Sequence, residues 1–196
     1  MTNTEEFAGL ILGGGEGRRF GQPKAFAKLD DGRTFLEACV ATFHGAGASP
    51  VVATLPPGTD DPGINGLMAV PLPSSGLDMF ASIMVGLDRL IEFREWEKAA
   101  LLPVDHPLVT AGAVTALLDT KMPAAIPSFR GKHGHPVCLD RDVAVGIVEG
   151  RYPGPTLREV LREVGVVDVE VDDPGVVANC NAPENLRDAL KIRTAD

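Results

Sequence analysis

Apolar runs alternate along this chain with stretches of helical spacing, and the alternation predicts most of its elements. Residues 7 to 12 (FAGLIL) read as a first strand. Thr34 is placed to cap a helix carrying Leu36, Val40 and Phe43 at i, i+4 and i+7, with Gly45 as its expected stop. PVVATL, residues 50 to 55, is the second strand, and the Pro- and Gly-rich stretch from 56 to 75 has no period and reads as a loop. Phe80, Ile83, Met84, Leu87, Leu90 and Ile91 form the stripe of an amphipathic helix, which assigns Met84 to the core. A buried strand AALLPV, a helix capped by Thr110 with Val114, Leu117 and Leu118 inward, and a short strand AAIP follow. Then the pattern changes. GKHGHPVCL, GRYPGPT and the alternating VVDVEV predict an antiparallel or mixed edge and a small lobe, before a last helix starting near Pro183. The fold class expected is α/β: one Rossmann-like domain spanning 1–196, a three-layer α/β/α sandwich on a mostly parallel sheet.

Composition narrows the function. With 196 residues, 44% hydrophobic, 23% charged and a mean hydropathy of +0.08, the chain reads as an ordinary soluble globular protein. It has no run of about 18 apolar residues, and MTNTEEF is no secretory start, so the cytoplasm is expected and no membrane partner. Cys39, Cys138 and Cys180 are odd in number and lack CxxC spacing, against a disulfide framework or a thiolate zinc site. A net charge of −9 opposes non-specific nucleic-acid binding. An anionic ligand must therefore meet a local basic patch, and residues 18 to 24 supply one.

That patch closes a glycine-rich loop after the first strand, LILGGGEGRRFGQPKAF, where open α/β sheets bind phosphates. A Walker A loop is excluded because Lys24 is followed by Ala25 and not by a hydroxyl residue. A dinucleotide fingerprint fits poorly: Gly15, Gly17 and Gly21 are spaced GxGxxxG, one residue too long, and Glu37, the nearest acid at a suitable offset, falls in a helix. Leu12 to Lys24 instead resembles the L-A-(A/G)-G-x-(S/G)-x-R-M-G-x-x-K signature of nucleotidyltransferases, most closely the branch of the molybdenum-cofactor cytidylyl- and guanylyltransferases.

The resemblance implies a nucleotide-diphospho-sugar transferase type of fold and roles for particular residues. Leu12, Gly13, Gly14, Gly15 and Gly17 would wrap a triphosphate, and Arg19 and Lys24 would neutralise the departing pyrophosphate. Asp105 in LLPVDHP matches the family's D-x-P and would hold Mg²⁺. NCNAPENL resembles [DN]-x-[DN]-T-P-E-D-L, making Asn179 or Asn181 a second metal ligand, although Asn181 also suits a helix cap. Gly134, His135 and Pro136 match a GHP segment on the acceptor side. The HxH pair His133 and His135 lacks a third metal ligand nearby and reads as a turn with acceptor contacts. LDMFASIMVGLDRL matches a helix start at Met79, Ser82, Gly86 and Leu87, with Ser82 on the nucleotide, but departs from it at Asp78, Phe80 and Met84. A G-D-x-G-A-R segment has at most Arg158 as its counterpart, and Asp172 and Asp173 read as a turn.

On this resemblance residues 1–115 form the nucleotide half, 120–178 the acceptor side and 179–196 the C-terminal helix region. The implied reaction is Mg²⁺-dependent attack by an acceptor phosphate, such as that of molybdopterin, on the α-phosphorus of CTP or GTP. Gly14 favours GTP, whereas GQPK and GHPV favour CTP, and CTP is the expectation. A sugar-phosphate or other small-phosphate nucleotidyltransferase, or a nucleotide-binding protein without turnover, stays open as an alternative.

Overall fold

The computed structural model describes residues 6–15, 17 and 21–181. Four strands form its parallel half: β1 (Phe7–Leu12), β2 (Val51–Leu55), β3 (Leu67–Pro71) and β4 (Lys98–Pro103). They lie in the order β3-β2-β1-β4, so the chain winds outward from β1 in one direction and resumes on its other side with β4. β5 (Ala124–Phe129) continues beyond β7 (Val137–Asp140), which runs antiparallel to both β4 and β5. β6 (Lys132–His133) and β8 (Val167–Glu170) both pair with β5, the first antiparallel and the second parallel. The expected mixed region is therefore present, and its reversed strand β7 is built into the sheet.

Helices cover both faces. α1 (Phe35–Ala46) and α3 (Ala111–Leu118) belong to one layer, with Phe35, Phe43, Val114 and Leu117 in its core. α2 (Met79–Ile91), α4 (Arg141–Val148) and α5 (Leu157–Val164) belong to the other, around Ile83, Leu87, Trp96, Ile147 and Val160. Thr34 caps α1 in a reciprocal box: its Oγ1 accepts from Glu37 N at 3.1 Å while Thr34 N donates to Glu37 Oε2 at 2.6 Å. α1 does not stop at Gly45. It runs one residue past it, to Ala46, and closes at Gly47, whose φ of +90° suits a residue without Cβ. Asp78 caps α2 by accepting from Ala81 N at 2.8 Å, which gives this departure from the family pattern a local role.

Three elements are absent from the periodicity reading. β3 lies in the stretch assigned to loop; it is only half-buried and ends in Pro71, so neither continuous apolarity nor clean alternation marks it. α4 and α5, inside the expected edge and lobe, pack into the main α2 layer. The helix expected from Pro183 lies outside the described residues.

Candidate functional site

The carboxyl ends of β1 and β4 face each other where the winding direction reverses, the position at which open α/β sheets accept ligands. Gly13 continues β1 and donates its N–H to Thr54 O at 2.8 Å. A Cβ on Gly14 would lie 2.3 Å from Leu72 Cδ1, with Ser82 Oγ 3.7 Å away. Around Gly15 there is open space. Gly17, at φ +59°, is the most constrained: a Cβ there would stand 1.9 Å from Gln22 O and 2.7 Å from Lys24 N. Gly17 is therefore packed onto the backbone that carries Lys24. Glu16, Arg18, Arg19 and Phe20 lie outside the described residues.

Lys24 begins a short 3-10 turn, Lys24–Phe26, anchored by the buried Ala25. Its Nζ donates to Asp105 Oδ2 at 3.1 Å and to Asn181 Oδ1, bringing together residues 81 and 157 positions apart in sequence. The Lys24 and Asp105 side chains are 24% and 15% exposed, so the pair is sheltered but open to a ligand. Val104 N donates to Leu12 O at 3.1 Å, which carries the β1–β4 pairing to the residue before Asp105. Cys180 N donates to Asp105 O at 2.7 Å, and this bond delivers Asn181 to the site. Asn179 is exposed, and it is Asn181 that reaches Lys24. Two hard oxygens, one anionic, thus converge on one cationic nitrogen.

On the other side lies a residue that sequence reasoning passed over. His106 is buried next to Asp105, and its ring meets that of His135 edge-on, with centroids 4.7 Å apart and planes at 61°. The Nδ1 atoms of both rings are buried without a hydrogen-bond partner among the described residues. Burial pushes the His135 imidazole down to about 4, helped by His106 and opposed by the Asp105 carboxylate. Burial lowers His106 as well, against the pull of Asp105. The two rings are therefore neutral at pH 7. Gly134 allows this approach, because a Cβ there would sit 2.3 Å from Val176 O, the carbonyl that accepts His135 N at 2.9 Å. His133 is exposed and pairs with Asp168 at 3.1 Å, so the HxH residues have separate neighbours. Among the described residues no group of three or more His, Cys, Asp or Glu is arranged to hold a metal.

Other residues singled out in the sequence have the following surroundings. Ser82 is buried behind Gly14, and its Oγ donates to Asp78 O at 3.1 Å. Met84 is 38% exposed and does not enter the core: of its stripe, Ile83, Leu87 and Leu90 face inward. Arg158 is exposed on α5. Asp173 does more than make a turn. Buried, it accepts from Thr110 N, Thr110 Oγ1 and Gly175 N, each at 2.8 Å, tying the start of α3 to the segment that leads to Asn181. No helix among the described residues is long and apolar enough to cross a membrane.

Residues 9–169 match the model of the MobA-like NTP transferase domain. The chain is 32% identical over 184 residues to the molybdenum cofactor guanylyltransferase of Rhodobacter capsulatus, covering 91% of this chain and 92% of that protein. It is 27% identical over 191 residues to the molybdenum cofactor guanylyltransferase of Xanthomonas euvesicatoria pv. vesicatoria (strain 85-10), with 94% of each covered. Among solved structures, Rv0371c in complex with manganese, from Mycobacterium tuberculosis H37Rv, superposes with a TM-score of 0.70 at 19% identity, over 95% of this chain and 98% of that one. That last likeness is one of fold.

Proposed function

The chain belongs to the MobA-like NTP transferase family and is a nucleotidyltransferase; from that premise we propose that it moves GMP from GTP to the phosphate of the molybdenum cofactor and releases pyrophosphate. The observation that carries this reading is the meeting of Lys24, Asp105 and Asn181 at the mouth of the glycine loop. Two observations favour guanine over the cytosine expected from GQPK and GHPV. Both relatives described above bear guanylyltransferase names. Gly14 also stands at the loop position where the resemblance to the guanylyl branch lies.

In this reading Leu12, Gly13, Gly14, Gly15 and Gly17 wrap the triphosphate with their backbone, and Arg19 and Lys24 balance the charge that grows on the leaving pyrophosphate. Asp105 and Asn181 fit a hard divalent cation such as Mg²⁺, since their side-chain oxygens already share one cationic partner. That ion, when bound, would neutralise phosphate oxygens. Ser82 lines the nucleotide side, and Gly134, His135 and Pro136 the acceptor side. No protein nucleophile is needed: the acceptor phosphate attacks the α-phosphorus directly, and rate comes from alignment and charge balance.

The test is pyrophosphate release with molybdenum cofactor as acceptor, comparing GTP with CTP, for wild type and Lys24→Ala. The expected result is release with GTP, a strong preference over CTP, and a fall of roughly 10²-fold or more in the variant. A preference for CTP would restore the cytidylyl reading, and no release with either nucleotide would point to another phosphorylated acceptor.

A further inference from the structure

The Lys24 ammonium occupies the point on which Asp105 Oδ2 and Asn181 Oδ1 converge. Oxygens that both reach one nitrogen can also share a divalent cation, but an ammonium and a metal ion cannot occupy the same position. Lys24 Nζ, at 3.1 Å, stands nearer the Asp105 carboxylate than the His106 ring, whose Nε2 is 4.0 Å away. The carboxylate therefore has its charge balanced by the chain's own lysine.

The lysine is also placed to leave. Its backbone is fixed, by the buried Ala25, by the Phe26 N to Pro23 O bond of 2.9 Å and by the packing of Gly17 against Lys24 N. Its four-carbon stem has rotatable bonds along its length, and the side chain is 24% exposed. The loop that offers N–H groups to phosphates lies against this same backbone, so a triphosphate bound there would present new oxygens within the reach of the ammonium. We propose that Lys24 is an exchangeable occupant of the metal position: it holds the Asp105–Asn181 pair while nucleotide is absent, excludes divalent cation, and is drawn off by the triphosphate so that metal and nucleotide load together. The proposal rests on reading Asp105 and Asn181 as the metal pair.

Titration with MnCl₂, followed by the electron paramagnetic resonance signal of free Mn²⁺, tests this with and without GTP and with no acceptor present. Wild type is expected to take up Mn²⁺ weakly alone and more tightly with GTP. Lys24→Met should bind Mn²⁺ without GTP about tenfold or more tightly than wild type, because an uncompensated carboxylate is left at the site. Lys24→Gln should behave alike and serves if the methionine variant folds poorly by circular dichroism. Nucleotide-free affinities equal to wild type in both variants would overturn the proposal. Tight, Asp105-dependent uptake by nucleotide-free wild type would also overturn it while leaving the metal pair standing. In Lys24→Met/Asp105→Asn the gain should vanish; a gain that persisted would place the ion elsewhere and remove the metal pair with it.

Discussion

His135 shows how far one residue's environment departs from what its motif announces. GHP marks the segment, but nothing local in the sequence brings His106 to its ring. Because burial lowers the His135 pKa to about 4, the unfolded chain, with histidine near its ordinary 6.5, binds more protons between those values. Stability from the neutral ring is thus complete above about pH 6.5 and lost as pH falls toward 4, with a ceiling of about 3 kcal/mol. Urea unfolding from pH 4 to 7 should show this slope, and His135→Gln should flatten it; an unchanged slope would mean the ring is not buried neutral. Lys24, Asp105 and the glycines are singled out by the sequence because each stands in a short local motif. Contacts such as Asp173 with Thr110, or Asn181 with Lys24, arise only when distant loops meet at one sheet edge.

At the scale of elements, caps and long apolar stripes carry the signal. Thr34, Thr110 and the α2 stripe were readable because each is complete within a dozen residues. Gly45 misleads because a glycine two residues before the true stop is tolerated inside α1, where it packs near Ala111, while Gly47 supplies the left-handed closing residue. β3 is a half-buried edge and α4 a short helix, and both carry little periodic signal, whereas α5 does carry one: Leu157, Val160, Leu161 and Val164 at i, i+3, i+4 and i+7 after the cap Thr156, hidden only by the Gly- and Pro-rich stretch before it. The α1 cap gives a clean test. Thr34→Ala removes the acceptor for Glu37 N and should cost about 1 kcal/mol in chemical denaturation. Thr34 lies outside the candidate site, so GTP binding by the folded variant should be unchanged, and a weakened GTP affinity would show that α1 positions the loop.

The molecule as a whole joins the proposed nucleotide and acceptor sides through one sheet, with β7 hydrogen-bonded to β4 on one edge and β5 on the other. Each face has its own core, and each core draws residues from both sides of the proposed division near residue 115: Phe43 and Phe129 on one face, Leu87 and Leu139 on the other. A division of labour in function therefore need not be a division in folding. Trp96 is the only tryptophan and is fully buried in the core around α2, whereas Cys39, Cys138 and Cys180 are buried in the core around α1. Burial pushes the Cys180 thiol up to about 11 and raises Cys39 further, so both resist alkylation while the fold persists. If the two layers are one cooperative unit, tryptophan fluorescence, thiol labelling and far-ultraviolet circular dichroism should report one coincident urea transition. Labelling that preceded the fluorescence change would instead show the α1 face opening by itself. Since the glycine loop and Asp105 leave adjacent strands of the shared sheet, such independent opening would uncouple nucleotide loading from the state of the acceptor side, whereas a single transition means that the site forms only when both faces are closed.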